Sequence, residues 1–202
     1  MTHEELLELI LQGQRIALDF GCGPAKKQGY LGVDKLPLPG VDVVANLENG
    51  LGFLPDNSVD EIYSSNFVEH IDNLELFMKE CHRVVKHGGT IHIYVPHFSN
   101  PWFYSDYTHR RFFGLYSFLY FSDHNNIYKR KVPDFYTNFK FQVIEQKLIF
   151  KSPPFYFRNL FRQILQRIFN SNIYMQELYE DVFCYIFACQ ELYCKMKPIK
   201  DN

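Results

Sequence analysis

Residues 15–23 read Arg-Ile-Ala-Leu-Asp-Phe-Gly-Cys-Gly, and residues 30–34 read Tyr-Leu-Gly-Val-Asp. The first stretch predicts a buried strand over 15–20 that runs directly into the turn Gly21-Cys22-Gly23. The second predicts a short strand that ends at Asp34. Glycines let the backbone turn tightly and approach a ligand closely, and a carboxylate after the next strand can accept both hydrogens of a ribose diol. The pair of stretches indicates a nucleoside ligand, with a plain tight turn as the alternative.

The residues after the glycine turn narrow the choice of ligand. A dinucleotide fingerprint has a third glycine and then a helix whose N-terminus holds a pyrophosphate. Here Lys26 occupies the third position, and the short turn-like stretch that follows has no helical pattern. This favours an adenosine ligand without a diphosphate. It argues against a nicotinamide-dependent oxidoreductase, which remains as a less favoured reading of the same sheet.

Apolar periodicity along the rest of the chain indicates an α/β fold. Five further strands are predicted from short apolar or alternating runs at 41–45, 60–64, 90–95, 139–151 and 191–197. Three helices are predicted: one between Thr2 and Gly13, one from Asp72 to the Gly88-Gly89 pair, and one over 158–169. Strands that alternate with helical or loop segments are typical of βαβ units in a parallel sheet.

Composition sets limits on domain number and class. The chain has 202 residues, of which 47% are hydrophobic and 22% charged, so it is too apolar for a disordered chain and fits one domain. We expect a cofactor-binding half over 1–96 and a substrate-side half over 97–202, with a helical insertion at about 152–182. The formal net charge of -2 argues against a nucleic-acid partner.

The cysteines and the N-terminus suggest a cytoplasmic location. The chain has five widely spaced cysteines: Cys22, Cys81, Cys184, Cys189 and Cys194. Their odd number and the lack of a C-x-x-C pair indicate reduced thiols. The first ten residues carry early glutamates and no basic head before an apolar core, so no secretory signal is expected. No apolar run is long enough to predict a spanning helix.

Four stretches in order resemble the class I S-adenosylmethionine-dependent methyltransferases: ALDFGCG, GVDK, ANLENGLGFLPDNSVDEIYSSNFVEHI and ECHRVVKHGGTIHIYVP. The resemblance implies a Rossmann-like sandwich with a mostly parallel seven-stranded sheet and an antiparallel last strand. It implies S-adenosyl-L-methionine as the cofactor, with contacts from Asp19, Gly21, Cys22, Gly23, Asp34, Lys35, Asn46, Leu47, Ser65 and Asn66. In this family's arrangement Asp19 lies at the amino-acid end of the cofactor, Asp34 on the ribose, and Asn46 and Leu47 beside the adenine.

Two features depart from that family's pattern. Asp19 and Asp34 are only 15 residues apart, so the usual first helix is expected to be short or absent. Asn46 stands where an aspartate is common, and its amide oxygen can still accept a hydrogen bond from the adenine amino group.

The segment SDYTHRRFFGLYSFLYF more loosely resembles a subgroup associated with bacterial surface-polysaccharide or glycan biosynthesis. The acceptor implied is a small molecule or saccharide that is methylated at oxygen. A hydroxyl acceptor needs a general base, for which histidine is suited. The candidates for acceptor binding or catalysis are His97, Asp106, His109 and Arg110, and a structural polar network is an equal alternative for the last three. A metal site from His97, Asp106 and His109 has no recognised ligand spacing, so none is predicted.

Other readings of the chain stay open. The basic amphipathic helix at 158–169 suits a membrane surface, but packing on the sheet or in a homodimer interface is favoured. A non-catalytic binding module on the same fold is the main functional alternative. A nucleic-acid methyltransferase is disfavoured, because residues 64–67 read Ser-Ser-Asn-Phe rather than the Asn-Pro-Pro-Tyr type of tetrapeptide found in amino-methylating DNA enzymes.

Overall fold

Seven strands form one sheet in the computed structural model, which describes residues 1–123, 127–151 and 156–200. The strands are β1 (Ala17–Phe20), β2 (Leu31–Asp34), β3 (Val43–Val44), β4 (Val59–Ser65), β5 (Val85–Pro96), β6 (Lys140–Ile149) and β7 (Glu191–Ile199). All seven predicted strands are present, with ends that differ by a few residues.

The strand order is β3-β2-β1-β4-β5-β7-β6. Strands β1 to β5 are parallel, whereas β7 is antiparallel to both β5 and β6. Leu18 of β1 lies beside Leu31 on one side and Ile62 on the other, so β1 is central. The predicted Rossmann-like sheet with an antiparallel last strand is confirmed. Its carboxyl edge collects the ends of β1, β2, β4 and β5 together with the start of β7.

Within the described ranges, four α-helices flank the sheet: α1 (His3–Leu11), α2 (Leu74–Val84), α3 (Tyr156–Phe169) and α4 (Ile173–Leu178). Helix α1 begins at the predicted capping box, in which Thr2 and Glu5 exchange hydrogen bonds. No helix occurs between β1 and β2 in this fully described stretch, which confirms the expected loss of the first helix. The glycine turn therefore leads to β2 through turns alone.

The prediction that α2 runs from Asp72 to the Gly88-Gly89 pair is wrong at both ends. The helix begins after Asn73, whose side chain caps it by accepting from the Leu76 amide, and it ends at Val84. The two glycines lie inside β5, where the pairing with β4 shifts register. Gly88 has φ 81°, a conformation that favours glycine, so the pair forms an irregularity within the strand and not a helix stop.

The main core lies on one side of the sheet. The register aligns Phe20, Ser64 and Ile93 on that side, and the ring of Phe77 from α2 meets Phe20 edge-on with centroids 6.2 Å apart. The opposite side carries half-buried tyrosines in mutual contact, among them Tyr63. Because the β1–β2 connection has no helix, this side of the sheet is more open than the core side.

The segment between β6 and β7 is helical, as predicted, but the predicted apolar side of its first helix does not pack on the sheet; a homodimer interface for this helix stays a prediction. Of the four apolar residues predicted to share one side of α3, only Leu165 is buried. Phe161, Ile164 and Ile168 are 53%, 52% and 44% exposed. A π-helical turn, Tyr179–Phe183, follows α4. In the described parts of the chain, no helix has the length and apolar character needed to cross a membrane.

Candidate active site

The glycine turn after β1 requires glycine for two reasons. Gly21 has φ 68°, and a Cβ placed on it would lie 2.2 Å from the ring of Phe67. The Gly21 amide donates to the Val33 carbonyl at 2.8 Å, which ties the turn to β2. By contrast, no atom of the described residues lies within 4 Å of a Cβ built on Gly23, so open space lies beside the backbone there.

Asp34 closes this turn from the end of β2. Its carboxylate accepts hydrogen bonds from the Gly23 amide and the Leu36 amide, each at 3.0 Å. A carboxylate has about four acceptor positions, so both oxygens keep capacity for further donors. The neighbouring Lys35 is exposed, and Cys22 is half-buried with its Sγ against the Gly23 carbonyl. The arrangement suits a ligand that brings a diol to Asp34 over the open side of the turn.

Asp19 lies beneath the turn and is buried. Its Oδ2 accepts from the Lys27 amide at 2.7 Å. Burial raises the pKa of Asp19, and the hydrogen bond and charge of Lys27 partly oppose this effect. The Lys27 ammonium lies 3.9 Å from the centroid of the Tyr63 ring.

The residues expected beside the adenine follow β3. Asn46 caps a 3-10 turn by accepting from the Glu48 amide at 3.1 Å, and Leu47 is 3% exposed. At the end of β4, Ser65 is half-buried and Asn66 has φ 52°. All ten predicted cofactor residues therefore lie at or just beyond the carboxyl ends of β1 to β4. Which of them contact the cofactor stays a prediction.

A cleft of about 660 Å³ opens at the same edge of the sheet. Asn66 and Pro96 line it from the ends of β4 and β5, and Glu191 from the start of β7. The side chain of Asn66 donates to Glu191 at 3.1 Å. Burial raises the pKa of Glu191. Residues 100–109 form the opposite wall, so the aromatic segment after β5 folds back over the end of the sheet.

Glu69 is the most unusual residue of this cleft. It lies in a 3-10 turn just after β4 and is fully buried. Neither carboxylate oxygen has a hydrogen-bond partner among the described residues. Burial raises the pKa of Glu69 to about 8. A buried carboxyl group without a partner is costly and is therefore rare outside functional sites.

Two histidines face Glu69. The Nε2 atoms of His70 and His109 each lie 3.9 Å from Glu69 Oε1, and their ring centroids are 4.9 Å apart. His109 Nδ1 lies 3.0 Å from the Phe103 carbonyl, and His70 Nδ1 lies 3.3 Å from the Thr108 carbonyl. A carbonyl only accepts, and the Thr108 hydroxyl, 3.0 Å from His70 Nδ1, donates to Asp106, so each Nδ1 acts as the donor. In the neutral form of each ring, Nε2 then presents its lone pair toward Glu69.

Asp106 lies beside this cluster at the mouth of the cleft. Its Oδ2 is 3.6 Å from His109 Nε2, and its Oδ1 accepts from the amide and hydroxyl of Thr108. The hydrogen bonds from Thr108 lower the pKa of Asp106. The structure thus brings together two of the four predicted acceptor-side residues, Asp106 and His109.

The other two predicted residues lie elsewhere. His97 is fully buried and does not line the cleft: its Nδ1 accepts from the Ser99 amide, and its Nε2 lies 3.1 Å from Glu180. Arg110 is exposed, with its Nε 3.5 Å from Asp72, while its backbone amide donates to the Glu69 carbonyl. Their catalytic roles stay predictions that the geometry does not test.

The sequence analysis did not select Glu69 or Glu191. A signal for Glu69 was available, because a Glu-His pair directly follows the predicted fourth strand, at the edge where parallel sheets bind ligands. Glu191 had no comparable signal. It is the first residue of its strand, and the alternation of apolar residues does not show in which direction that strand runs through the sheet.

Comparison with known proteins agrees with this geometry. Residues 18–93 match the family model described as a methyltransferase domain. Over this segment, which is less than half of the chain, the protein is similar to methyltransferase domains. The match covers β1 to the middle of β5 and contains the glycine turn, Asp34 and the Glu69–His70 pair. A search of curated proteins found no match.

Solved structures share the fold of this chain. The YcgJ protein from Bacillus subtilis is 16% identical, with 99% of this chain and 100% of that chain covered and a TM-score of 0.53. An S-adenosylmethionine-dependent methyltransferase from Thermotoga maritima is also 16% identical, with 98% and 91% covered and a TM-score of 0.53. At such identities the similarity concerns the fold.

Residues of this chain fit the cofactor. The open space beside Gly23 leaves room for a ligand against the backbone, and Asp34 faces it with acceptor capacity to spare. Asp19 is a buried carboxylate at the mouth of the turn, suited to a cationic amino group. When bound, S-adenosylmethionine supplies an electrophilic methyl group on a sulfonium.

Proposed function

We propose that the protein is an S-adenosylmethionine-dependent methyltransferase that transfers the methyl group to an oxygen of a small-molecule or saccharide acceptor. The observation that carries this proposal is the cleft that joins Asn66, at the cofactor side, to the histidine and carboxylate cluster of Glu69 and His109. A hydroxyl must lose its proton as its oxygen attacks carbon, so an oxygen acceptor needs groups of this kind beside the reacting atom.

The residues of the cleft suit this task. His109 Nε2 has a lone pair that faces the cavity, because its Nδ1 proton is held by the Phe103 carbonyl. It can accept the hydroxyl proton while the oxygen forms its bond to the methyl carbon and the carbon–sulfur electron pair stays with sulfur. Asp106, 3.6 Å away, stabilises the imidazolium that results.

Aromatic side chains at the mouth favour a ring-shaped acceptor such as a saccharide. Trp102 lines the cleft and is 46% exposed, and Tyr107 and Phe112 of the same segment are 94% and 59% exposed. Exposed aromatic faces can stack on the apolar faces of sugar rings. We also propose that the protein belongs to the subgroup associated with surface-polysaccharide or glycan biosynthesis.

The first test is calorimetric titration with S-adenosylmethionine, followed by methyl transfer from labelled cofactor to a panel of mono- and oligosaccharides and matched amino sugars. We expect micromolar cofactor binding and label on hydroxyl groups. Label that appears only on the amines of the amino sugars would contradict oxygen transfer. Folded protein that binds no cofactor would favour the non-catalytic module.

For location, we propose that the protein works in the cytoplasm with α3 against an anionic membrane surface. All five cysteines are free thiols. Helix α3 carries Arg158, Arg162 and Arg167 and no acidic residue, so its charge complements anionic lipid headgroups. Its exposed apolar residues include Phe157 and Leu160, at 97% and 70% exposure. Such a position would suit an acceptor attached to lipid.

Vesicle sedimentation tests this contact. We expect the protein to sediment with vesicles of phosphatidylcholine containing phosphatidylglycerol, and the double variant Phe157→Ser, Leu160→Ser to lose at least tenfold in partitioning because two apolar side chains no longer insert. Leu11→Ser is the matched control, since Leu11 is 85% exposed on α1. If the protein does not sediment with the vesicles and is a dimer in solution, α3 is assigned to a homodimer interface instead.

A further inference from the structure

The cleft contains a cluster that the proposed proton transfer uses only in part. Glu69 and His70 come from the turn after β4, and His109 from the segment after β5, so two separate parts of the chain converge on one point. One ligand-type atom from each residue lies within 4.8 Å of the other two. We propose that Glu69, His70 and His109 form a binding site for a divalent transition-metal ion of the Zn²⁺ type.

The spacing suits a small ion after a slight contraction. Tetrahedral ligands at about 2.1 Å from a metal lie roughly 3.4 Å from one another. Each histidine Nε2 is 3.9 Å from Glu69 Oε1, so each must approach this oxygen by about 0.5 Å, and one ligand atom from each of the three residues already lies within 4.8 Å of the other two. The turn after β4 and the loop that carries His109 are already joined through the Arg110 amide and the Glu69 carbonyl, at 2.8 Å.

The hydrogen bonds behind the histidines are those of metal ligands. A metal-binding histidine nearly always donates its other ring N–H to a carbonyl or carboxylate, which fixes the tautomer and the ring orientation. His109 has the Phe103 carbonyl in this role, and His70 has Thr108, whose hydroxyl and carbonyl oxygens lie 3.0 and 3.3 Å from Nδ1. Both rings therefore hold an unprotonated Nε2 toward the same carboxylate.

The carboxylate provides an independent observation. Glu69 is fully buried, and both of its oxygens lack a hydrogen-bond partner within the described residues. Neither histidine donates to it, since each Nε2 lies 3.9 Å from Glu69 Oε1, beyond hydrogen-bond distance. A cation between the three side chains would satisfy the orphaned oxygens and use both lone pairs at once.

The ligand types select the ion. Two imidazole nitrogens and one carboxylate oxygen suit Zn²⁺ and its first-row neighbours, whereas Mg²⁺ and Ca²⁺ prefer all-oxygen sites. Three protein ligands leave at least one position open, and Asp106 at 3.6 Å from His109 lies at that side of the cleft. The set differs from the one weighed in the sequence, because His97 is held by Ser99 and Glu180 instead.

The role of the ion, but not its binding, rests on the proposed function. An acceptor hydroxyl in the open position would be made more acidic by the ion, and its proton would pass to Asp106 or to solvent. His109 would then act as a ligand and leave the proton to these acceptors.

The test uses the full chain, stripped with chelator and titrated with Co²⁺ in the absence of cofactor and acceptor. We expect visible absorption bands of cobalt at one equivalent, displaced by Zn²⁺ and not by Mg²⁺. Glu69→Gln and His109→Gln should each lower cobalt affinity at least about 100-fold, since each removes one of three ligands. His87→Gln is the control, because His87 is an exposed histidine in β5 away from the cleft.

Thermal unfolding identifies variants that fail to fold. If either variant is unstable, hydrogen exchange of the wild type gives a second measurement. We expect Zn²⁺ to slow the exchange of backbone amides around Glu69 and His109. The proposal is overturned if the folded wild type binds no cobalt, or if Glu69→Gln and His109→Gln bind it like wild type. Cobalt binding without methylation of oxygen would support the metal site and contradict the proposed function. Methylation of oxygen that persists in the presence of chelator would support the proposed function and contradict the role of the ion in it.

Discussion

Replacing Asp34 by alanine should lower the affinity of the protein for S-adenosylmethionine by roughly 100-fold or more. Hydrogen bonds to a charged group contribute about 1.5–3 kcal/mol each, and a ribose diol would make two of them to this carboxylate. Because 1.4 kcal/mol corresponds to a factor of ten, even partial compensation leaves a loss of this size. Calorimetric titration of the wild type and the variant measures it directly.

A control is needed because Asp34 also holds the glycine turn through the Gly23 amide. Thermal unfolding shows whether the variant stays folded, and Lys35→Ala provides a neighbouring change at an exposed position. The 2′-deoxy analogue of S-adenosylhomocysteine separates the two causes. Wild type should discriminate against this analogue by about tenfold, and the variant should not. Equal discrimination by both proteins would show that Asp34 acts on the turn and not on the ribose.

Much of the fold could be predicted because its signals are local. The strands are short apolar or alternating runs, and the strand period does not depend on distant partners. The missing helix after β1 could be inferred from the mere spacing of Asp19 and Asp34. Such features are properties of a few consecutive residues, so the sequence suffices to specify them.

Features that depend on distant residues could not be predicted in this way. The pair Gly88-Gly89 reads as a helix stop, but pairing of Val85 with Val59 extends β5 past it. Helix α3 has the periodicity of a helix packed on a core, yet the sheet beside it already covers Leu165 and leaves Phe161 in solvent. In both cases tertiary contacts decide between local alternatives.

In the candidate site, too, the features set by consecutive residues could be predicted and those set by distant contacts could not. The cofactor residues follow consecutive strands, so their common edge follows from the parallel sheet. The acceptor side depends on how residues 97–121 fold back over that edge. His97 directly follows β5 and His109 lies 12 residues further on, yet it is His109 that reaches the cleft and Glu69. Glu69 becomes notable only through burial, which no pattern in one sequence reveals.

Replacing His109 by glutamine should lower kcat by about 100- to 10,000-fold while the affinity for S-adenosylmethionine stays within twofold of wild type. General acid–base groups contribute factors of this size, and glutamine keeps a similar shape while removing the basic nitrogen. The loss is expected whether Nε2 takes the acceptor proton itself or binds an ion that acidifies the hydroxyl. Single-turnover methylation with a hydroxyl acceptor measures the rate, and calorimetry measures the affinity.

His97→Gln is the matched comparison, because His97 was predicted from the sequence for the same role but is buried between Ser99 and Glu180. We expect this variant to lower the midpoint of thermal unfolding as well as kcat, since it disturbs a fully buried hydrogen-bonded ring. His109→Gln should lose turnover with a smaller change in the midpoint, because His109 lies at the cleft. If His97→Gln loses turnover at full stability while His109→Gln keeps it, then His97 and not His109 serves the acceptor. If cofactor affinity falls with turnover in His109→Gln, the cluster belongs to the cofactor site instead.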